Sequence, residues 1–277
     1  MQSSRPRIGL SYWRDRGNPR KRRAFESLAD HAAVVWLDPE REHHDLATLG
    51  LDLFHAAKRR PASLADLDRA AAAGIETVNP AAAVGQTSDR LARHEALVHA
   101  GVPVPRAEFG SAATVSLTPP VLVKTREEGR EHSHDHEFVT AGPVRYDGER
   151  LVEAYVPHTA SVKVHVVGEA VRAVRESPAG LASVPLDPGL ESIVRRVRHL
   201  FGLRVFELDA VRLGAGSQVP AGTLVTSTAE ATADWVVVDV NPVVSLAGVP
   251  DAVAVYRDFL GGLVGVEVPA RVSRDRP

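Results

Sequence analysis

The chain has 277 residues, and its formal net charge of −2 gives no general attraction to nucleic acid or to a membrane surface. It contains no cysteine, which excludes disulfides, thiolate metal sites and a cysteine nucleophile. The length allows two or three lobes with their own cores, and an apolar content of 44% is ordinary for a globular protein.

The first 80 residues alternate between strand and helix patterns. Helical spacing is found in "NPRKRRAFESLADHA" and in "SLADLDRAAAAG", where Ser63 is the predicted N-cap and Gly74 the end. The predicted strands are the short apolar runs "RIGLSYW", "AVVWLD", "LDLFHA" and "IETVN". This alternation predicts a small α/β lobe with a parallel sheet.

The rest of the chain is richer in strands. A helix is predicted over "TSDRLARHEALVHAG", with a Thr/Ser/Asp start and Gly101 as its stop. Two further helices are predicted over "DPGLESIVRRVRHLFG" and "PDAVAVYRDFLGGLVG". The predicted strands are "PPVLVKT", "ERLVEAYV", "SVKVHVVG", "AVRAVRE", "RVFELDAVRL" and "DWVVVDVNP".

Lysine is rare in this chain. Only Lys21, Lys58, Lys124 and Lys163 occur among the 33 basic residues. Lys124 and Lys163 lie in valine-rich strands, where the desolvation cost of an ammonium group is readily offset only by an anion. The sequence therefore predicts phosphate contacts for both, with a structural salt bridge as the alternative.

Acidic residues alternate with apolar ones in two of the late strands. In "WVVVDVNP", Val236, Val238 and Val240 are predicted to share one face, and Val237, Asp239 and Asn241 the other. The strand "FELDAVRL" places Glu207 and Asp209 together in the same way. Such oxygens suit Mg²⁺, which we prefer to the alternative of solvent-facing acids on an edge strand.

A histidine-rich run follows Lys124. His132, His134 and His136 alternate with Ser133 and Asp135, and they could serve a zinc site or a loop that binds anions. Alternate residues of one loop rarely complete a tetrahedral zinc site, so we favour the anion loop. The chain has neither G-x-x-x-x-G-K-[ST] nor G-x-G-x-x-G after a strand, so any nucleotide is held in another way.

Taken in order, these pieces resemble the ATP-grasp superfamily, from about residue 80 to 265. They are similar above all to the inositol-trisphosphate 5/6-kinase branch, through "KTR" with the later Ser133-His134, "VHVVGE" after His158, and "GLSYWRDRGNPRKRRAF". The resemblance implies an α/β ATP-grasp fold made of α+β lobes. Its lobes would be residues 1–80 on the substrate side, 81–180 in the centre and 181–270 with the metal site, before a frayed tail at 271–277.

The resemblance also implies roles for individual residues. ATP would contact Arg90, Lys124, Lys163 and the adenine hinge Glu153, Ala154, Tyr155 and Val156, with Lys124 and Lys163 as the catalytic residues. The metal ligands would be Asp209, Asp239 and Asn241. The family's substrate-contacting histidine falls at Gly129 here, so Arg130 or His132 would replace it. The substrate would be bound by Lys21, Lys58, Arg130, His132, His134, Lys163, Asn241 and Ser245.

The implied activity is an ATP- and Mg²⁺-dependent kinase that phosphorylates an inositol polyphosphate or a similar small anionic polyol. One alternative is a carboxylate–amine ligase that acts through an acyl-phosphate, and another is a nucleotide-binding regulator without turnover. No signal-peptide core precedes a cleavage site and no stretch approaches 18 apolar residues, so we expect a cytoplasmic protein without nucleic-acid or membrane partners. We expect a monomer or a small homo-oligomer.

Overall fold

The structure is a computed structural model that describes residues 5–127, 136–214, 224–225 and 234–266. The chain divides into two compact units. Unit 1 comprises Met1–Val78, Val167–Ala170 and Val249–Pro277, and unit 2 comprises Asn79–Val166 and Val171–Gly248. This division is coarser than the three lobes expected from the sequence, and those lobe boundaries stay a prediction.

The elements follow one another along the chain in a mixed α/β order. They are β1 (Arg7–Ser11), α1 (Pro19–Leu28), β2 (Ala33–Leu37), a 3₁₀ turn (Leu46–Thr48), β3 (Leu53–His55), α2 (Pro61–Ala72), β4 (Glu76–Val78), α3 (Ala81–Ser88), α4 (Arg90–His99), β5 (Val104–Pro105), β6 (Ala107–Ser111), β7 (Val121–Lys124), β8 (His136–Val139), β9 (Glu149–Ala154), β10 (Ala160–Val167), β11 (Ala170–Ser177), β12 (Gly180–Val184), α5 (Pro188–Phe201), β13 (Val205–Arg212), β14 (Leu224–Val225), β15 (Trp235–Asn241) and α6 (Ala252–Leu263).

Unit 1 contains the parallel sheet that the sequence predicts. Its strand order is β2-β1-β3-β4, and each neighbouring pair is parallel. Helix α1 starts where predicted, because the Asn18 side chain accepts hydrogen bonds from the N–H groups of Arg20 and Lys21. Phe25 on this helix is fully buried and its ring contacts that of Tyr256 on α6, so the last helix of the chain completes the core of unit 1.

The predicted N-cap of α2 is wrong. The helix begins at Pro61, two residues before Ser63, because proline suits the first helical position. Ser63 is buried inside the helix, and its hydroxyl lies 2.7 Å from the hydroxyl of Ser11 at the end of β1. The hydroxyl therefore joins helix to sheet.

The predicted helix before Gly101 is two helices. The chain turns at Asp89, which has an extended backbone and caps α4 by accepting from the N–H groups of Leu91 and Ala92. Thr87 and Ser88, which the sequence suggested as part of the start, belong instead to the separate helix α3. Asp89 is the residue of the Thr/Ser/Asp group that acts as the cap.

Unit 2 is built on two sheets. One has the order β6-β9-β7-β8 and the other β12-β11-β10-β13-β15. Helix α5 packs its apolar side on the second sheet, where Leu190, Val197 and Phe201 join an extensive buried cluster. Strands β8 and β12 were not expected from the sequence, since most of their residues are exposed and lack a clear apolar alternation.

A β-bulge corrects the predicted faces of β15. Opposite β13, Asp239 pairs with Asp209 and Val237 pairs with Ala210, so Val238 is an extra residue. Val237 and Val240 therefore share one buried cluster, while Val236 and Val238 pack in another. The expected grouping of Val236, Val238 and Val240 on one face is wrong because the extra residue reverses the alternation at this point.

Within the described residues, none of the helices combines the length and the apolar character needed to cross a lipid bilayer.

Candidate functional site

Unit 2 contains a cavity of about 250 Å³ between the strand pair β7–β9 and the strand pair β13–β15. The apolar wall comes from Leu122 on β7, Val211 on β13 and Val238 on β15, and from Val156 just after β9. The polar lining consists of Arg90, Lys124, His136, Glu153, His158 and Asp239. The volume is slightly below the ~300–1,000 Å³ that is usual for small-molecule pockets.

The predicted adenine hinge forms one edge of this cavity. The Ala154 N–H donates to the Arg106 carbonyl at 2.8 Å, and the Tyr155 N–H donates to the Pro120 carbonyl at 3.0 Å. His158 Nδ1 lies 2.9 Å from the Val156 carbonyl oxygen. In the part of the chain that the structure describes, the Val156 N–H has no acceptor, so this donor is available at the edge of the cavity.

Lys124 and Arg90 lie at the same end of the cavity. Lys124 is buried, and its Nζ lies 2.5 Å from Glu153 Oε2 and 3.3 Å from the Val238 carbonyl oxygen. Arg90 Nη1 donates to Thr125 O at 2.8 Å and to Thr125 Oγ1 at 2.7 Å. Helix α4 starts beside the end of β7, because the Arg90 N–H also bonds to the Arg126 carbonyl. Two predicted phosphate-binding cations are thus brought together.

Lys163 forms an ion-pair network with the acids of β13. Its Nζ lies 2.7 Å from Glu207 Oε1 and 3.0 Å from Asp209 Oδ1. Both acids therefore share one face of β13, as the sequence predicts. The salt bridge that was the alternative to phosphate binding is present, which does not prevent Lys163 from meeting a phosphate as well.

These contacts change the pKa values of the network. Burial opposes the charge on Glu207, but the nearby His165 and Lys163 outweigh it and hold the pKa of Glu207 well below its usual range. Burial opposes the charge on Lys163 too, yet Asp209 and Glu207 raise its pKa. Burial raises the pKa of Asp209 to about 6, and Asp239 and Glu207 add to this rise against the effect of Lys163.

His165 was not predicted as part of the site. It is 1% exposed, and its Nδ1 lies 3.0 Å from Glu207 Oε2 without hydrogen-bond geometry. Ser245 donates to the same Glu207 oxygen through its N–H at 2.8 Å and its hydroxyl at 2.7 Å. Ser245, which the resemblance placed at the substrate, is thus a fixed support for Glu207 in this structure.

Arg93 is a second residue that the sequence reasoning missed. Its Nη2 lies 2.5 Å from Asp239 Oδ1, and its Nη1 donates to the carbonyls of Thr87 and Val240 at 2.9 Å each. Arg93 is buried, so this guanidinium is held in a fixed position. The signal was its place three residues after Arg90, since such residues are neighbours on one side of a helix.

The predicted metal ligands come together on β13 and β15. Asp209 lies directly opposite Asp239, and Glu207 lies opposite Asn241. In the described part of the chain no group of three or more His, Asp or Glu residues forms a metal site alone. Two adjacent carboxylates with an amide oxygen nevertheless fit Mg²⁺, which usually completes its shell with waters and phosphate oxygens. Burial is the main cause of the pKa rise at Asp209, and the nearby charges of Asp239 and Glu207 add to it, so a bound cation would favour the ionised acids.

The predicted substrate residues are spread over both units. In unit 1, Lys21 is 3% exposed and its Nζ donates to the Ala57 carbonyl at 3.1 Å. Lys58 is half-buried beside Tyr12 and Trp13. Arg130, His132 and His134 lie outside the described residues, as does most of the histidine-rich run, but His136 lines the cavity of unit 2.

Comparison with known proteins gives matches in structure alone. No protein-family model matches the chain, and no curated protein matches its sequence. A RimK domain ATP-grasp protein from Sphaerobacter thermophilus is similar over 91% of this chain and 98% of its own, with a TM-score of 0.67 and 19% identity.

Two further structures extend this similarity. PurK, an N5-carboxyaminoimidazole ribonucleotide synthetase solved with ADP, has a TM-score of 0.67 and 12% identity over 96% of this chain and 80% of its own. The ATP-grasp ligase PsnB, solved with a minimal precursor, Mg and ADP, has a TM-score of 0.56 and 16% identity over 95% of this chain and 94% of its own. With two sheets beside a cavity lined by lysine and acidic side chains, the chain has the ATP-grasp fold.

Proposed function

We propose that this chain is an ATP-dependent ligase that joins a carboxylate to an amine. The use of ATP rests on the cavity of unit 2, where an apolar wall meets two buried cations and the Asp239 carboxylate, and the choice of a ligase rests on the structural similarity. Similarity to a synthetase and to a peptide ligase supports the ligase over the kinase that the sequence suggested. The inositol phosphate kinase branch has no such support.

ATP fits the cavity by the chemistry of its lining. The base would lie against Leu122, Val211 and Val238, with the Val156 N–H as a donor at the hinge. The phosphates would be bound by Lys124 and Arg90, which line the same cavity, and by Lys163. In such a site the cations are already ordered, so they neutralise phosphate charge without reorganisation.

Magnesium would be bound by Asp209, Asp239 and Asn241, the oxygen donors on the two opposed strands. When bound, it would supply positive charge to the phosphate oxygens. Lys163 and Arg93 hold the carboxylates of Asp209 and Asp239 in place beforehand. Of the three acids Glu207, Asp209 and Asp239, two are thereby matched by a cation, which leaves one negative charge for a divalent ion to neutralise.

The reaction needs two group transfers. A carboxylate oxygen of the acid attacks the γ-phosphorus of ATP, the bond to the β–γ bridging oxygen breaks, and ADP leaves. The amine nitrogen then attacks the carbonyl carbon of the acyl-phosphate, inorganic phosphate leaves, and the nitrogen loses a proton. Lys124 and Lys163 would serve as the catalytic residues by holding the transferred group, since phosphoryl transfer depends mainly on positioning and charge neutralisation.

The residues predicted to bind the substrate keep that proposed role with an acid in place of a cyclitol phosphate. They are Lys21, Lys58, Arg130, His132, His134, Lys163, Asn241 and Ser245. None of these side chains is acidic and each can donate a hydrogen bond, which suits a carboxylate as well as a phosphate. The ATP site is common to the two chemistries and does not choose between them.

A product assay separates the three functions. The purified chain would be incubated with ATP and Mg²⁺, with pooled carboxylic acids and amines in one arm and inositol phosphates in the other. A ligase gives ADP and free phosphate only when acid and amine are both present. A kinase would give ADP and a new phosphomonoester, and a regulator would bind ATP without forming ADP. Either of these last results would reject the ligase.

A further inference from the structure

The carboxyl ends of β1 and β3 mark the point where the parallel sheet of unit 1 reverses its order. β1 lies between β2 and β3, so the connection from β1 leads to a strand on one side of it and the connection from β2 leads to a strand on the other side. Ligands of open α/β sheets bind in the crevice at such a point. Here the residues that follow the two strands meet, with Lys58 Nζ 5.1 Å from the Trp13 ring and 5.9 Å from the Tyr12 ring.

Three cations surround the Trp13 ring in this crevice. The charged groups of Arg16, Lys58 and Arg60 lie 4.8, 5.1 and 5.7 Å from its centre. Arg16 is neutralised by Glu40 at 2.8 Å. Within the described residues, neither Lys58 nor Arg60 forms an ion pair with a carboxylate, so the crevice carries an excess of positive charge.

Lys58 is in an environment that disfavours its own charge. Its pKa is lowered by burial and further by the nearby guanidinium of Arg60. The two aromatic faces offset part of this cost, because a ring attracts a cation. Lys21 differs, since it is almost fully buried and donates to the Ala57 carbonyl as part of the fold. Lys58 and Arg60 are therefore the cations in this crevice that would gain from an added anion.

We propose that this crevice binds an oxyanion group, a carboxylate or a phosphate, on a small molecule, with Lys58 and Arg60 as its direct ligands and Trp13 as its wall. Both side chains donate charge-assisted hydrogen bonds to such oxygens. The identity of the bound molecule rests on the proposed function, because it would be the acid substrate of the ligase. The anion site itself stands on the geometry of unit 1.

The test is a titration of the full chain with two probes, glutarate and inorganic phosphate, by calorimetry at constant ionic strength set with sodium chloride. The variants are Lys58→Met and Arg60→Met, with Arg23→Met as the matched control. Arg23 is an exposed cation of the same unit on helix α1, where its Nε donates to the Pro19 carbonyl. Constant ionic strength is needed because general screening would otherwise imitate a loss of binding.

We expect saturable binding of at least one probe, weakened at least ~10-fold in Lys58→Met and in Arg60→Met and unchanged in Arg23→Met. Binding of glutarate would assign the site to carboxylates, and binding of phosphate alone would assign it to phosphate groups. The site is rejected if neither probe saturates or if both variants bind as the parent chain does. If Lys58→Met does not fold, as judged by circular dichroism, Lys58→Gln and Arg60→Met decide the result.

A parallel titration with ATP keeps the two proposals apart. The ATP cavity lies in unit 2, so ATP affinity is expected to be unchanged in the Lys58 and Arg60 variants. Failure of the parent chain to bind ATP would reject the proposed function while the anion result still stands. Loss of anion binding with ATP affinity retained would confirm that the anion and the nucleotide occupy different sites.

Discussion

At the scale of single residues, two cations hold three carboxylates of the candidate site. Lys163 reaches both Glu207 and Asp209, and Arg93 holds Asp239. Removing one cation of this partly buried network would leave a carboxylate without its partner, which is destabilising. The two cations thus hold the three acids close together.

Replacing Asp239 with asparagine preserves size but removes the charge that would bind Mg²⁺. Turnover is expected to fall at least ~10²-fold, because charge neutralisation supplies much of the rate enhancement of phosphoryl transfer. Calorimetric titration with Mn²⁺ gives a second readout and should show weaker binding. The matched control is Asp234→Asn just before the same strand, where the side chain is 69% exposed and pairs with Arg212. Normal turnover in folded Asp239→Asn would reject Asp239 as a ligand.

Lys163→Arg keeps the charge and changes its shape. The ammonium lies within 3.0 Å of two carboxylates at once, whereas a guanidinium is wider and planar. We expect kcat/KM to fall by ~10²-fold, because displacement of a positioned group by about 1 Å costs that much. Lys163→Met separates charge from shape. Parental kinetics in Lys163→Arg with loss in Lys163→Met would show that charge alone matters and would contradict our expectation.

At the scale of elements, a buried polar contact joins β3 to α6 in unit 1. His55 Nδ1 lies 2.7 Å from the Val78 carbonyl oxygen and so donates to it, which leaves Nε2 to accept from the Tyr256 hydroxyl. His55 is 1% exposed and Tyr256 is fully buried. A sequence pattern cannot reveal this pairing, because the two residues are 201 positions apart.

Tyr256→Phe would leave His55 Nε2 buried without its donor. We expect the free energy of unfolding to fall by about 1–3 kcal/mol, the usual cost of an unsatisfied buried polar group. Urea unfolding measures it. Tyr146→Phe is the control, since it removes a hydroxyl that donates to the Gly110 carbonyl at a partly exposed site, and it should cost less. Equal losses in the two variants would show that the buried Tyr256 contact stabilises the fold no more than a partly exposed hydrogen bond does.

The same histidine predicts how stability depends on pH. Burial lowers the pKa of His55 to about 4 from an ordinary value of 6.5, so the folded chain keeps it neutral while the unfolded chain binds a proton. The contribution of neutral His55 to the free energy of unfolding is fully present above pH 6.5 and is lost as the pH falls toward 4. The whole loss is about 3 kcal/mol.

His55→Gln removes the titration but keeps a polar side chain. Urea unfolding at pH 7 and pH 4.5 should show a smaller difference in this variant than in the parent chain. An equal difference in both would mean that His55 does not cause the loss of stability in acid.

At the scale of the whole molecule, periodicity and end signals were enough to predict the parallel sheet of unit 1, helices α1, α5 and α6, and most strands of unit 2. The bulge at Val238 was not predictable, because one extra residue is invisible within the run Val236–Val238. Arg93 was missed because its partner Asp239 is 146 positions away. The charged residues of the candidate site could be singled out because a charge in a valine-rich strand needs a partner. The structure gives Lys124 and Lys163 carboxylate partners, and their binding of phosphate stays a prediction.

The choice between kinase and ligase could not be made from those residues. Both chemistries use the same ATP site, and part of the predicted substrate set, Arg130, His132 and His134, lies outside the described residues. A kinase and a ligase differ in which molecule receives the phosphoryl group. Labelled oxygen atoms in the acceptor therefore distinguish the two, because only a ligase transfers one of them to free phosphate.

The most direct test of the ligase is to supply the carboxylic acids with ¹⁸O in both carboxylate oxygens, together with ATP, Mg²⁺ and the amines. The released phosphate is then analysed by mass spectrometry. If an acyl-phosphate forms and an amine displaces it, each phosphate carries one ¹⁸O and the amide keeps the other. Unlabelled phosphate would show simple ATP hydrolysis, and ADP with no free phosphate would show transfer to another acceptor. Either result would contradict the ligase.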